Sequence, residues 1–268
     1  MSSENMTTNR SIADRLKAAG LRTLEDVLTL SLPGLMNKTG LSEVQASSVM
    51  RAARSHFPVQ PQDPVGVWPI LGIPALARGA ITEIFGISGS GKTQIAFFLA
   101  ARGPFSSVFW LDTEGTYRSE RILQMAENSS RLEQIRVRKI RDDLLESLSL
   151  IKSSMLCPNG SLVIVDSITA AIPTSLIKKD KAEFVHSIAK SLKSLNCCVL
   201  VTNQVRANFI ASSDSAVSPA LGKTWSEAVN VRLQVHKTPL SGSSRVLTAD
   251  KCPDVKFVVE PGGLSIVS

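Results

Sequence analysis

In a chain of 268 residues, 43% hydrophobic and 20% charged side chains supply a core for one large domain with a small companion and exclude wholesale disorder. No stretch approaches the ~18 uncharged apolar residues of a membrane span, and the opening MSSENMTTNRS has no apolar run; neither membrane anchor nor secretory leader is expected, and the expected setting is cytosolic or nuclear. Lys and Arg total 30 against 23 acids, a net charge of +7 that permits a nucleic-acid partner without requiring one.

Residues 1–56 read as a small helical module, with short helices between 11 and 57. Ser11 with Asp14 opens the first and Ser42 with Gln45 opens the last, both resembling capping boxes. Leu24, Val27, Leu28, Leu30, Leu32, Leu35, Met36, Val44 and Val49 lie between or beyond them without strand-like alternation. Pro58, Pro61, Pro64 and Pro69, with Gln60 and Gln62, make residues 57–70 a stiff, extended linker. Over 71–268 the pattern changes. Apolar runs at 80–85, 108–111, 135–140, 162–165, 197–201 and 229–236 read as strands, and helical stretches at 93–102, 118–128, 142–156 and 181–194 separate the first five. Strands alternating with helices predict an α/β fold with a mostly parallel sheet covered on both faces. Residues 245–248 and 256–259 read as antiparallel edge strands.

The four cysteines, Cys157, Cys197, Cys198 and Cys252, show no metal spacing; Cys197 and Cys198 sit in an apolar run and read as buried thiols of a reducing compartment. His56, His186 and His236 are scattered, so no metal site built on them is expected.

Gly86-Ile87-Ser88-Gly89-Ser90-Gly91-Lys92-Thr93 fits GxxxxGK[ST], after a strand-like run and before a helix-like one. Glycines let successive N–H groups turn around a phosphate, and the helix N-terminus adds partial positive charge. Lys92 is expected on the β/γ-phosphates and the Thr93 hydroxyl on Mg²⁺. Asp166, ending the apolar run 162–165, is the candidate second anchor for the metal, because ligands gather at the carboxyl ends of such strands. Many phosphate-loop enzymes place a Glu directly after that Asp, but here Ser167 follows; Glu114, just past the run 108–111, is the candidate to position or deprotonate water. Gln204, after Thr202 and Asn203, is placed to sense the γ-phosphate.

The segments ITEIFGISGSGKTQ, WLDTEGTYRSERI, LVIVDSITA and VTNQV resemble, in order and spacing, the ATPase core of the RecA/RadA recombinases in their eukaryotic and archaeal branch. The N-terminal module resembles that branch's helix-hairpin-helix domain, with Lys38–Glu43 at the hairpin turn, and 219–225 resembles a feature of the eukaryotic recombinase paralogues, the mediator proteins. The resemblance implies ATP and Mg²⁺ as cofactors, with Lys92, Thr93 and Asp166 at the nucleotide and metal, Glu114 as catalytic glutamate, and Gln204 linking γ-phosphate to a second DNA loop. It places Arg118 and Arg121 near the adenine, either of them able to stack on it. Lys178, Lys179 and Lys181 would meet DNA phosphates from a trimmed first loop around 171–181, though such a run also describes a solvated face. Arg206, Phe209 and Lys223 belong to a second loop, about 206–223, where Phe209 can stack on a base.

Two departures bear on function. Phe57-Pro58-Val59-Gln60 does not fit the family's aromatic-x-x-Ala self-docking motif, and Ser42 stands where the hairpin turn usually has glycine. The implied protein is a nuclear recombination mediator, a slow DNA-dependent ATPase that supports the strand-exchange recombinase on single-stranded or junction DNA, joined with other recombinase paralogues in a hetero-oligomer. The alternatives are a strand-exchange recombinase proper, a nucleotide-dependent scaffold, and a small-molecule phosphotransferase, which shares only the phosphate loop.

Overall fold

The computed structural model describes residues 11–23, 26–27, 30, 32–56, 76–153, 160–195, 197–207, 217–238, 244–249 and 254–267. The linker at 57–70, Phe209, Cys157 and Cys252 lie outside these. The chain forms two compact units, residues 1–60 and 61–268.

The first unit holds α1 (Ile12–Ala18), α2 (Leu32–Thr39) and α3 (Glu43–His56). The Ser11 side chain accepts the Asp14 N–H at 3.2 Å, and its hydroxyl donates to the Asp14 carboxylate at 2.8 Å. Ser42 and Gln45 form a reciprocal box, each side chain accepting the other's backbone N–H at 3.3 and 3.1 Å. Ser42 therefore serves as a helix cap, which explains a serine at a turn where glycine is usual. Leu21, Val27, Leu35, Leu41, Ala46, Met50 and Ala53 make the core. Val44 departs from the expected apolar pattern: it is 80% exposed, because the inward face of α3 follows Ala46, Met50 and Ala53 at helical spacing.

The second unit is built on β1 (Ile81–Phe85), α4 (Lys92–Arg102), β2 (Ser107–Asp112), α5 (Ser119–Met125), β3 (Ile135–Lys139), α6 (Leu144–Ser153), β4 (Ser161–Asp166), α7 (Lys178–Lys193) and β5 (Cys198–Asn203). Then come β6 (Val205–Ala207), β7 (Val217–Pro219), α8 (Gly222–Ala228), β8 (Val231–Lys237), β9 (Ser244–Ala249), β10 (Val255–Glu260) and β11 (Gly263–Ile266). Nine strands form one sheet in the order β11-β10-β9-β8-β1-β5-β4-β2-β3, parallel from β8 to β3 and antiparallel from β8 to β11. Period-2 alternation divides the central strands between two cores. Ile84, Trp110, Ile164 and Leu200 pack with α4, while Phe109, Leu111, Val163, Val165 and Val201 pack with α6 and α7. Each such fully buried large apolar side chain contributes about 1.5–3 kcal/mol.

Cys197 and Cys198 are buried and not disulfide-bonded, and burial pushes the Cys198 thiol up to about 11. Among the described residues no helix is long and apolar enough to cross a membrane, and no group of His, Cys, Asp or Glu could by itself hold a metal.

Several local expectations are corrected. The helix expected from 181 starts at Lys178, so Lys178, Lys179 and Lys181 lie on its first turn and the loop before it ends at Ile177. Lysines oppose the dipole there, which disguises the boundary, and Asp180 in the same turn offsets them. Lys223 stands in the first turn of α8, a helix not anticipated, and Arg206 on β6, which pairs antiparallel with β7 to make a two-stranded ribbon. The 229–236 run is a strand over Val231–Lys237, and β11 was not foreseen.

Candidate functional site

The phosphate-loop motif, Glu114, Asp166 and Gln204 come from four separated segments, and the sheet brings them to one rim because β1, β2, β4 and β5 are parallel and end together. Gly86 accepts no side chain: a Cβ there would stand 2.4 Å from the Val235 carbonyl oxygen and 2.8 Å from Ser90 Oγ. Gly91 caps α4 in the left-handed region, φ 109°, with no side-chain cap, so the first helical N–H groups are left to a ligand. Ser90 is fully buried, and among the described residues its hydroxyl has no hydrogen-bond partner. Lys92 Nζ donates to the carbonyls of Gly86 at 2.9 Å and Ile87 at 3.0 Å. Burial lowers its pKa, and the charges of Glu114 and Asp166 oppose that shift.

Asp166, 2% exposed, ends β4 beside Asp112 at the end of β2. Its Oδ1 accepts from Thr93 Oγ1 at 3.2 Å and Thr202 Oγ1 at 2.5 Å, and its Oδ2 from Thr116 Oγ1 at 2.9 Å. Burial raises its pKa more than these hydroxyls lower it, and Glu114 adds to the rise. An acid whose charge is disfavoured by burial, set against a hydroxyl and a row of N–H donors, fits a hard, oxygen-preferring cation carried on phosphate. Thr93 and Asp166 are the side chains that would hold it.

The raised pKa has a consequence for stability. The folded state holds the Asp166 proton more tightly than the unfolded chain, so this group's contribution is most favourable at acid pH and is lost as pH rises through its folded pKa. Asp166→Asn should therefore melt a few degrees higher than the wild type at neutral pH without metal, with the gap closing as pH falls. Calorimetric melts across pH check this; a variant that melts lower at neutral pH contradicts it.

Glu114 Oε1 accepts from Ser167 Oγ at 2.5 Å and from Gln204 Nε2 at 3.3 Å. The Ser167 position, which many related sites fill with Glu, here orients Glu114 instead. Asp112 shapes the loop that carries Glu114: Oδ1 accepts the N–H groups of Gly115 at 2.8 Å and Thr116 at 3.0 Å, and Oδ2 that of Tyr117 at 3.3 Å. Ser88, Lys92, Thr93, Glu114, Asp166 and Gln204 line a cleft of about 430 Å³. The arrangement can take a polyphosphate on the loop, a cation at Thr93 and Asp166, and a water near Glu114.

The two arginines differ. Arg121 is tied down, with Nε donating to Gln94 Oε1 at 2.7 Å, Nη1 to the Pro261 carbonyl at 2.7 Å and Nη2 to the Glu260 carbonyl at 2.7 Å. Among the described residues Arg118 is held by nearby carbonyls, those of Gly115 at 2.9 Å and Tyr117 at 2.6 Å. Lys178, Lys179, Arg206 and Lys223 are exposed and Lys181 partly so; none lines the cleft.

Sequence reading missed Asp112, Thr116 and Thr202. Thr202 could have been found from the strand-end position next to Asn203 and Gln204; Thr116 gives no such signal, since its role depends on a turn that Asp112 makes.

The Rad51 family model matches residues 71–260, and the model described as XRCC3/RpoA-like helix-hairpin-helix domain matches residues 4–56. The DNA repair protein RAD51 homolog 4 of Bos taurus is 28% identical, covering 89% of this chain and 86% of the relative. The DNA repair and recombination protein RadA of Methanocorpusculum labreanum is 27% identical over 94% of each, and the DNA repair protein RAD51 homolog of Solanum lycopersicum is 28% identical over 83% of this chain and 78% of its own length.

Proposed function

The chain belongs to the Rad51 family, and from that premise we propose that it is a recombinase paralogue of the mediator kind, acting in homologous recombination and double-strand-break repair in the nucleus. It binds ATP with Mg²⁺ through the core at 71–268, joins other paralogues in a hetero-oligomer, and supports the strand-exchange recombinase on single-stranded or junction DNA. The helical module at 1–56 and linker at 57–70 complete it. The helix-hairpin-helix match, the similarity to RAD51 homolog 4, and a net charge of +7 support this reading.

The observation that carries it is the contact of Gln204 with Glu114. The Gln204 amide reaches Glu114 across the cleft, and its backbone leads directly into β6, the first strand of the ribbon that β6 forms with β7. The Gln204 carbonyl also accepts the Ala220 N–H at 2.8 Å, so one residue ties both strands of that ribbon to the cleft. A γ-phosphate would compete with Glu114 for the Gln204 amide, free Glu114 to orient water, and bias the ribbon toward DNA. Mg²⁺ would supply charge neutralisation at the phosphates. Lys92 and the loop N–H groups would hold the phosphates, Arg118 is the arginine better placed to stack on a base, and Lys178, Lys179, Lys181, Arg206, Phe209 and Lys223 are the DNA-contact candidates. Turnover is slow when no neighbouring subunit completes the site.

The test is co-purification from cells, with subunit stoichiometry and single-stranded DNA binding measured with and without ATP. Recombinase-family partners and ATP-enhanced DNA binding are expected. Regular filaments of this chain alone on DNA would favour a strand-exchange enzyme, and complexes unaffected by Lys92→Ala would favour a scaffold.

A further inference from the structure

Two cations that belong to no recognised motif stand at the phosphate loop. Lys237 ends β8 and Arg245 is the second residue of β9, and the antiparallel register sets them directly opposite each other. The pair also flanks the loop: a Cβ on Gly89 would lie 3.2 Å from Lys237 Nζ, and one on Gly91 would lie 3.9 Å from Arg245 Nε. Gly89, φ +69°, carries no side chain, and the Lys237 ammonium sits where one would otherwise project. Arg245 lines a second cleft, of about 290 Å³, that shares Gly89, Lys92 and Thr93 with the acidic cleft and is otherwise bounded by Gly91, Gln94 and Val259, with no carboxylate among the described residues of its lining.

We propose that Lys237 and Arg245 form a second phosphate-binding element, supplied by the β8–β9 hairpin, for the diphosphate portion common to nucleoside di- and triphosphates. The inference rests on the nucleotide reading above and extends it. A phosphate held at Gly89 and Gly91 would have both cations within reach, the Lys237 ammonium beside Gly89 and the Arg245 guanidinium beside Gly91. Because the cleft that Arg245 lines holds Thr93 and Gln94 of α4 rather than Glu114, Asp166 or Gln204, and Lys237 approaches the same loop at Gly89, they serve the phosphates nearer the nucleoside. They strengthen binding without distinguishing ATP from ADP; that distinction falls to Gln204 on the acidic side.

The test is calorimetric titration of the full chain with Mg-ATP and Mg-ADP. Lys237→Gln should weaken both about three- to tenfold, Lys237→Arg should restore both to within about twofold, and Gln204→Ala should weaken ATP while leaving ADP unchanged. Lys237 is exposed at a strand end, so its variants keep the fold. Wild-type affinity for both nucleotides in Lys237→Gln, or a loss confined to ATP, overturns the assignment while the nucleotide reading stands. A wild-type chain that takes up neither nucleotide overturns both.

Discussion

Glu83→Ala should lower the melting transition of the α/β unit by about 10 °C, a cost of about 3–5 kcal/mol. Glu83 lies in the middle of β1, between β5 and β8, and is fully buried. Its Oε1 accepts from Asn203 Nδ2 and from Trp225 Nε1, each at 2.6 Å, and its Oε2 accepts from Arg232 Nε at 2.6 Å. Truncation leaves a guanidinium without its counter-ion, the buried Trp225 N–H without this acceptor and Asn203 Nδ2 short of one of its two, and those desolvation penalties, rather than the lost contacts, set the magnitude. Glu83→Gln should also be destabilising, because it turns an N–H₂ group toward either Arg232 or the Asn203 and Trp225 donors. Replacing Glu83 and Arg232 together with methionine should cost less than the sum of the single changes, since no charge is then left buried alone. Urea melts of the four proteins in that cycle measure it; an additive double variant would show that the pair does not act as a unit.

The same network bears on the cleft. Asn203 Nδ2 also donates to the Ala220 carbonyl at 3.1 Å, and Asn203 Oδ1 accepts the Gln204 N–H at 2.8 Å. The buried acid thus fixes the strand end from which Gln204 projects and the ribbon's return before α8. Leu221, with φ 76°, holds a left-handed conformation at the start of that helix, a strain that the network and the buried Trp225 offset.

This network marks where sequence reasoning stopped. The parallel strands were legible because Val, Ile and Leu runs such as 162–165 admit little else, and the phosphate loop because glycine spacing has a direct backbone meaning. The convergence of Glu114, Asp166 and Gln204 followed from strand ends sharing a rim. Glu83 was invisible as a hub: within ITEIF it reads as a polar interruption, and its three donors lie 120 or more residues away along the chain. Lys237 and Arg245 escaped for a related reason, since only the β8–β9 register places them opposite each other and beside Gly89. Lys178 and Lys179 misled because favourable charge placement argues against a helix beginning where it does. What periodicity cannot carry is pairing between distant segments, and it is pairing that turns isolated polar residues into a site.

Lys92→Ala should weaken Mg-ATP binding by about 100-fold or more while changing the nucleotide-free melting temperature little. In the nucleotide-free chain the ammonium is partly desolvated, which lowers its pKa, and its two acceptors among the described residues are neutral carbonyls of the loop itself. Deleting it therefore removes little net stabilisation, because the favourable bonds and the burial penalty go together. With a triphosphate in the loop the balance reverses: charge meets charge, and the burial that opposed the ammonium now strengthens its attraction to phosphate. The expected signature is a wild-type melting temperature that climbs with ATP concentration and a variant whose melting temperature stays flat over the same range. Lys92→Arg keeps the charge but not the compact ammonium that fits between the Gly86 and Ile87 carbonyls, so it should recover only part of the shift. A variant whose melting temperature climbs as the wild type's does would mean that the phosphates are held elsewhere, and the assignment of this loop as their cradle would fail with it.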